Sequence, residues 1–191
     1  MTIFKDAAYE NETFKNVQWE DELEDIEFYN CVFTDSSFQS SRLTGCSFDS
    51  CEFTRCNLSL VEIRNTAFLD VHFRDCKMIG IAWSAVGGFL TAGYDRCILN
   101  NNIFSDMNLT RFTFTSCALV EASFHNTRLR HAAFDDCDLS GCTFSQADLS
   151  FADFTTSRNY YVNATENTLH KTRFSLPEAV SLLANLDIVL E

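Results

Sequence analysis

From Phe28 onward the chain places an apolar residue at every fifth position. The series runs Phe28, Phe33, Phe38, Leu43, Phe48, Phe53, Leu58, Ile63, Phe68, Phe73, Met78, Trp83. After one extra residue it resumes at Phe89 and continues through Tyr94, Leu99, Phe104, Leu109, Phe114, Leu119, Phe124, Leu129, Phe134, Leu139, Phe144, Leu149 and Phe154. A period of five is neither the 3.6 of a helix nor the 2 of a strand. On a helix, five steps of ~100° leave each member ~140° from the last. On a flat strand alternate members face opposite ways. A chain that turns once every five residues keeps them all inside, which predicts an all-β solenoid.

A second pattern lies two residues before each of these positions. All nine cysteines stand there: Cys31, Cys46, Cys51, Cys56, Cys76, Cys97, Cys117, Cys137 and Cys142. The other occupants are mostly Ala, Ser, Thr or Val. Large and small inward residues therefore alternate, most cleanly in Cys56-Asn-Leu-Ser-Leu60, Cys137-Asp-Leu-Ser-Gly141, Ala147-Asp-Leu-Ser-Phe151 and Ala152-Asp-Phe-Thr-Thr156.

These segments resemble the pentapeptide-repeat family, whose consensus is A(D/N)LXX, over roughly residues 2–175. The resemblance implies a right-handed quadrilateral β-helix with four pentapeptides per coil, here about eight 20-residue coils. The sequence supports a coil of that length independently. It would stack Leu99, Leu119 and Leu139 in one column and Phe104, Phe124 and Phe144 in the next. Phe112, large for its slot, would be accommodated by Ala92 and Ala132. Cys56, Cys76, Cys97, Cys117 and Cys137 would form one ladder.

The pattern breaks in three places. Between Trp19 and Phe28 it loses a residue, and Glu20, Asp21, Glu22, Glu24, Asp25 and Glu27 crowd the gap. This reads either as a solvated, bulged corner or as a docking patch, with Leu23 and Ile26 within reach of the core. At Ser84-Ala-Val-Gly-Gly88 it gains a residue, which predicts a bulge or bend. After Phe154 it decays, and Ser175-Leu-Pro-Glu178 carries the Ser-x-x-Glu spacing of a capping box. The expected division is a repeat domain over 1–174 and a capping segment over 175–191, with a short α-helix at about 176–186. Its apolar stripe of Leu176, Val180, Leu183 and Leu186, followed by Ile188, is the candidate homodimer interface. That segment resembles the C-terminal helix through which Qnr and MfpA proteins pair.

Composition sharpens the picture. The chain holds 19 Phe but only six Gly and one Pro, so it turns by some device other than the usual ones. Net charge is −13 at pH 7, which argues against direct nucleic-acid binding and suits a basic partner. The start, Met1-Thr-Ile-Phe-Lys-Asp, has no basic region followed by an apolar one, and no apolar run reaches membrane-spanning length. Cytoplasmic localisation and no membrane association are therefore expected.

No catalytic constellation stands out. The cysteines lack the tight Cys-x-x-Cys pairs of zinc sites and read as buried structural thiols, although stacked neighbours would lie within disulfide reach. His72, His125, His131 and His170 fall on scattered outward positions. Neither enzymatic activity nor a cofactor or metal is expected. The resemblance to the loop-free Qnr and MfpA type implies an acidic DNA mimic. Its partner would be DNA gyrase or topoisomerase IV, and it would protect the enzyme from quinolones or toxins. The candidate contact residues are Glu121, Asp135, Asp136, Asp138, Asp148 and Asp153. The other reading is an interaction scaffold with an unrelated protein partner, and the mixed charge of the middle, with Arg55, Arg64, Arg74 and Lys77, speaks for it.

Overall fold

The computed structural model describes residues 4–87 and 90–183. Its repeating element is a short extended side that ends in a left-handed corner. Two residues after a core residue, φ turns positive: 58° at Asn11, 50° at Asn30, 54° at Ser50, 59° at Glu121 and 62° at Phe151. A left-handed L-residue costs roughly 1–2 kcal/mol. The corner N–H offsets this by donating to a carbonyl of the next coil, as from Asn30 to Asp49 at 2.9 Å and from Glu121 to Ser140 at 2.8 Å. This is how a chain poor in glycine and proline turns.

The chain divides into two compact units, Met1–Cys97 and Ile98–Glu191. In the first unit the strands are β1 (Ala8–Glu10), β2 (Thr13–Lys15), β3 (Glu22–Glu24), β4 (Glu27–Tyr29), β5 (Val32–Thr34), β6 (Arg42–Thr44), β7 (Ser47–Asp49), β8 (Glu52–Thr54), β9 (Glu62–Arg64), β10 (Ala67–Arg74) and β11 (Leu90–Asp95). They pair in parallel, β1 with β4, β7 and on to β10, β2 with β5 and β8, and β3 with β6 and β9. Core residues face their counterparts twenty positions on, as Phe28 faces Phe48 and Leu43 faces Ile63.

Phenylalanines consequently stack in columns. Phe28 lies 4.9 Å from Phe48 and Phe33 4.6 Å from Phe53, each pair with interplanar angles under 10°. Rings of adjacent columns meet edge to face, as Phe33 does with Phe48 at 67°. Both arrangements suit the aromatic quadrupole.

The two internal breaks are absorbed differently. The acidic stretch keeps the repeat: Leu23, 1% exposed, is a full core residue opposite Leu43, and Ile26 fills the small slot before Phe28. The lost residue falls between Trp19 and Leu23, where Glu20 and Asp21 lie, while Glu22, Glu24 and Glu27 stand outward on β3 and β4 and Asp25 on a left-handed corner. At the second break a 3-10 turn forms at Trp83–Ala85, and the bulge stands on the neighbouring strand, between Phe68 and Val71, rather than at the inserted residue. Strand β10 runs on past its corner against β11, pairing Phe68 with Leu90 but Val71 with Ala92. Leu90 is buried opposite Phe68, whereas Phe89, the residue counted into the core, lies outside the described residues. Asp70 N–H donates to the Thr91 hydroxyl at 2.7 Å. Gly87 is obligatory here, because a Cβ would strike the Asn65 backbone.

The second unit, Ile98–Glu191, contains β12 (Thr113–Thr115) and β13 (Ala133–Asp135). Its other sides meet through single parallel bridges. The ladders Ile98–Ala118–Asp138–Arg158, Ile103–Ser123–Thr143, Asn108–Arg128–Asp148–Thr168 and Ala133–Asp153–Arg173 mark four sides. We number them one to four in that order, each with the corner that follows it. Several corners close as β-turns, with Ala122 N–H on Leu119 O and Ala132 N–H on Leu129 O, both 3.0 Å. A positive φ at the third residue is the type II pattern. The expected stacks are present: Phe104, Phe124 and Phe144 at 5.1 Å spacing.

The solenoid has about 6 turns, fewer than the eight expected. The C-terminal segment is also not an α-helix. Residues Glu178–Leu183 form a 3-10 turn, with Val180 N–H on Pro177 O at 3.0 Å, and none of its residues is buried. Without a packed face a six-residue segment does not sustain α-helix. It is tied to the last coil by Ser181 Oγ donating to Tyr160 O at 3.3 Å.

Candidate protein-binding surfaces

The six acids proposed for contact do not share one face. Asp138 stands on side one, Glu121 at its corner, Asp148 on side three, and Asp135 and Asp153 on side four, with Asp136 at the fourth corner. Sides one and three are two turns of the square apart. Asp135 and Asp153 share side four, and Arg158 draws Asp136 and Asp138 together at 3.7 and 3.5 Å.

Five of the six are occupied internally: Asp135 accepts from the Thr156 hydroxyl at 2.8 Å, Asp136 accepts from the Ser116 hydroxyl at 3.1 Å and pairs with Arg158 at 3.7 Å, and the other three serve as turn locks. Asp138 Oδ1 accepts from Ser140 N–H and hydroxyl at 3.1 and 2.6 Å, and Asp148 holds Ser150 in the same way at 3.0 and 2.6 Å. Asp153 does so with Thr155, at 3.0 and 2.7 Å. Each also faces an arginine of a neighbouring coil: Arg158 at 3.5 Å, Arg130 at 3.0 Å and Arg173 at 2.6 Å. The Ser140 hydroxyl holds the Asp138 carboxyl below the usual range. Burial pushes Asp148 and Asp153 up, but the hydroxyl, N–H and guanidinium donors outweigh it and both end lowered. The Asp-x-Ser/Thr repeat is thus a turn lock first and a surface charge second.

The first unit shows the same economy. Asp35 and Arg55 pair at 2.7 Å, as do Asp75 and Arg96, so one corner carries acid and base alternately. Arg42 sits between Glu22 and Glu62 on the β3–β6–β9 ladder at 3.6 and 2.9 Å. Five acids without an ion pair among the described residues stand close together near the start, Glu20, Asp21, Glu24, Asp25 and Glu27, all exposed.

Three residues of the predicted dimer stripe, Leu176, Val180 and Leu183, lie among the described residues. Leu176 is 80% exposed and Val180 44%, whereas Leu183 is half-buried. Leu186 and Ile188 lie outside the described residues.

All nine cysteines are buried. Their slot has a role that the reading as a small hydrophobe missed. Its side chains are donors to core-residue carbonyls one coil away: Cys51 Sγ to Phe28 O at 3.4 Å, Cys137 Sγ to Phe114 O at 3.3 Å, Ser157 Oγ to Phe134 O at 2.7 Å. Several also accept the N–H of the slot residue below, as Thr66 does from Cys46 at 3.3 Å and Cys76 from Cys56 at 3.4 Å. Cys, Ser and Thr are therefore interchangeable here as small donor–acceptors. Burial pushes the Cys51 and Cys142 thiols up to about 12. Among the described residues no cluster of His, Cys, Asp or Glu has the arrangement of a metal site. Nor does any helix have the length and apolarity to cross a membrane.

One feature escaped the sequence reading. The third corner of the second unit carries Arg111, His131, Phe151 and Lys171 in register. The His131 ring stacks on Phe151 at 4.7 Å and 4°, and His170 meets its edge at 5.1 Å. Two of the histidines judged scattered thus share one aromatic. The signal was the repeat itself: outward residues twenty apart are neighbours.

A square solenoid with a Phe/Leu core, left-handed corners and a small donor slot defines a class of structural repeat protein. Family models described as "Pentapeptide repeat region" and "Pentapeptide repeats (8 copies)" match residues 88–176 and 26–65. The chain belongs to the pentapeptide-repeat family. Among solved structures, a trypsin-treated variant of QnrB1, described as a plasmid-mediated fluoroquinolone resistance protein, aligns with TM-score 0.63 and 17% identity, over 94% of this chain and 100% of that one. A second trypsin-treated QnrB1 variant aligns with TM-score 0.52 and 18% identity, over 96% and 98%. At that identity the likeness is one of fold. No curated protein sequence matches.

Proposed function

We propose that the protein acts without chemistry of its own, as an acidic cytoplasmic binding module directed at a type II topoisomerase. The observation that carries this reading is the group of outward acids at Glu20, Asp21, Glu24, Asp25 and Glu27, which no ion pair neutralises among the described residues. They present carboxylates to a basic partner, and attraction of that kind speeds association at low salt. The basic surface where gyrase or topoisomerase IV holds DNA is such a partner. Protection from quinolones is the matching role, in keeping with the description of QnrB1. Pairing of two copies through Leu176 and Val180 belongs to the same reading, since an apolar solenoid end is stabilised when covered.

A second reading has an observation of its own. Asp138, Asp148 and Asp153 are consumed by turn locks and arginines, which leaves less free charge along the second unit than a DNA mimic requires. That favours a scaffold whose unrelated partner docks on residues 20–27.

Gyrase supercoiling, titrated with the protein with and without ciprofloxacin at two salt concentrations, separates the two. Salt-sensitive inhibition or rescue from the drug, lost on combining Glu24→Lys, Asp25→Lys and Glu27→Lys, is the expected result. No effect at a large molar excess over gyrase overturns the topoisomerase reading.

A further inference from the structure

Although the chain is acidic overall, its positive charge is not evenly spread. Side three of the second unit and its corner collect Arg128, Arg130, His170, Arg111, His131 and Lys171. All six are exposed. Arg111 and Arg128 form no ion pair among the described residues, unlike the arginines that stitch coils together elsewhere. The one acid on this side is Asp148, already held by Ser150 and Arg130.

At the centre stands Phe151. In a chain that sends its phenylalanines inward, this one occupies a corner, with φ of 62°, where the ring serves no core. It is flanked by the two imidazoles, and Arg130 and Lys171 each place their charge 5.9 Å from its centroid. Along the other edge of the same side runs a shallow groove of about 410 Å³, whose lining includes Arg128, Asn108 and Asn126 together with the carboxylates of Asp106, which holds Asn126, and Asp148, which holds Ser150 and Arg130, so the unpaired charge on its wall is that of Arg128. An apolar anchor ringed by cations beside a polar groove has the make-up of a protein contact.

We propose that this corner is a docking surface for an acidic polypeptide segment. Charge complementarity selects the acidic character. The net charge of −13 and the Asp135–Asp136 cluster, at the far end of side four, select a peptide over a nucleic acid. A short acidic segment stays on the patch, within a screening length of ~8 Å at physiological salt, whereas a polynucleotide runs on over like charge. The surface is opposite in sign to that in the topoisomerase reading and stands or falls without it.

Fluorescence anisotropy with a labelled oligoglutamate peptide of about ten residues, against oligothymidylate of equal charge, tests this on the full-length protein. Saturable binding of the peptide is expected, weakened at higher salt. Arg128→Glu combined with Arg111→Glu should lower affinity at least tenfold, and Phe151→Ser several-fold. Glu is tolerated at such a corner, because Glu121 occupies one at φ 59°. Glu24→Lys should leave the binding unchanged. Absence of saturable binding, tighter binding of the oligonucleotide, or indifference to the corner variants each overturns the proposal.

Discussion

Thr66 tests whether the small inward slot is a hydrogen-bonding position or merely a space. The residue is fully buried. Its hydroxyl donates to Leu43 O at 3.1 Å or Arg64 O at 3.2 Å and accepts from Cys46 N–H at 3.3 Å. Thr66→Val preserves shape and removes all three contacts. The two carbonyls keep a second lone pair for other donors, so their loss is small. The Cys46 N–H is the costly group, and a buried donor without a partner costs about 1–3 kcal/mol. Thr66→Cys, which restores the commonest polar occupant of the slot, should cost less than half of that. For a chain of this size 1 kcal/mol moves Tm by roughly 2–4 °C. Thermal unfolding of the two variants, with hydrogen exchange at the Cys46 amide, reads the effect directly. Loss of protection at Cys46 in the valine variant and retention in the cysteine variant is expected. Equal stability of valine variant and parent, or of the two variants, would refute the reasoning.

Phe124→Ala removes the middle ring of a column, between Phe104 and Phe144 at 5.1 Å each, and should cost about 3–5 kcal/mol in chemical denaturation. The nine thiols should resist a thiol-specific chromophoric reagent in the native protein and react on denaturation, since burial raises Cys51 and Cys142 to about 12; rapid native reaction would contradict the packing. Asp138, Asp148 and Asp153 have folded-state values below their unfolded ones, so their contribution to stability is complete above about pH 4–5 and is lost as pH falls through the lowered values. Urea midpoints from pH 7 to 3 should show that decline, and combined Asp→Asn replacements should flatten it.

The fold was legible because the period of the core residues and the shape of the coil are one fact: a side of five residues, four sides to a turn. Leu119, Leu139 and Phe124 were placed correctly on that basis. Leu23 was read only as a residue within reach of the core, because counting back from Phe28 in fives was interrupted by its acidic neighbours. The 3-10 turn at Glu178 was misread as α-helix because capping residues and apolar spacing were present, while the packing that sustains a helix is not visible in a sequence. The contact acids were harder still. Asp138 and Asp148 look alike in the chain, both followed by Leu-Ser, and that likeness is the sign of a shared turn lock. Their proximity in sequence suggested a common face, whereas ten residues is half a circuit. The same conversion, twenty residues to a neighbour, would have assembled Arg111, His131, Phe151 and Lys171.

Since each corner turns the chain by one side, length and direction are coupled in whole steps. Adding twenty residues within a unit returns every later side chain to its own face and lengthens the stack by one layer. Adding five advances everything downstream by a quarter circuit, so that the Asp135–Asp136 corner would stand in line with Glu121, whereas removing five would set it in line with Arg111. The surface chemistry is therefore indexed like the teeth of a ratchet. Duplication of a whole coil is silent for orientation, and gain or loss of a single pentapeptide rewrites which charges share a face while the core still closes.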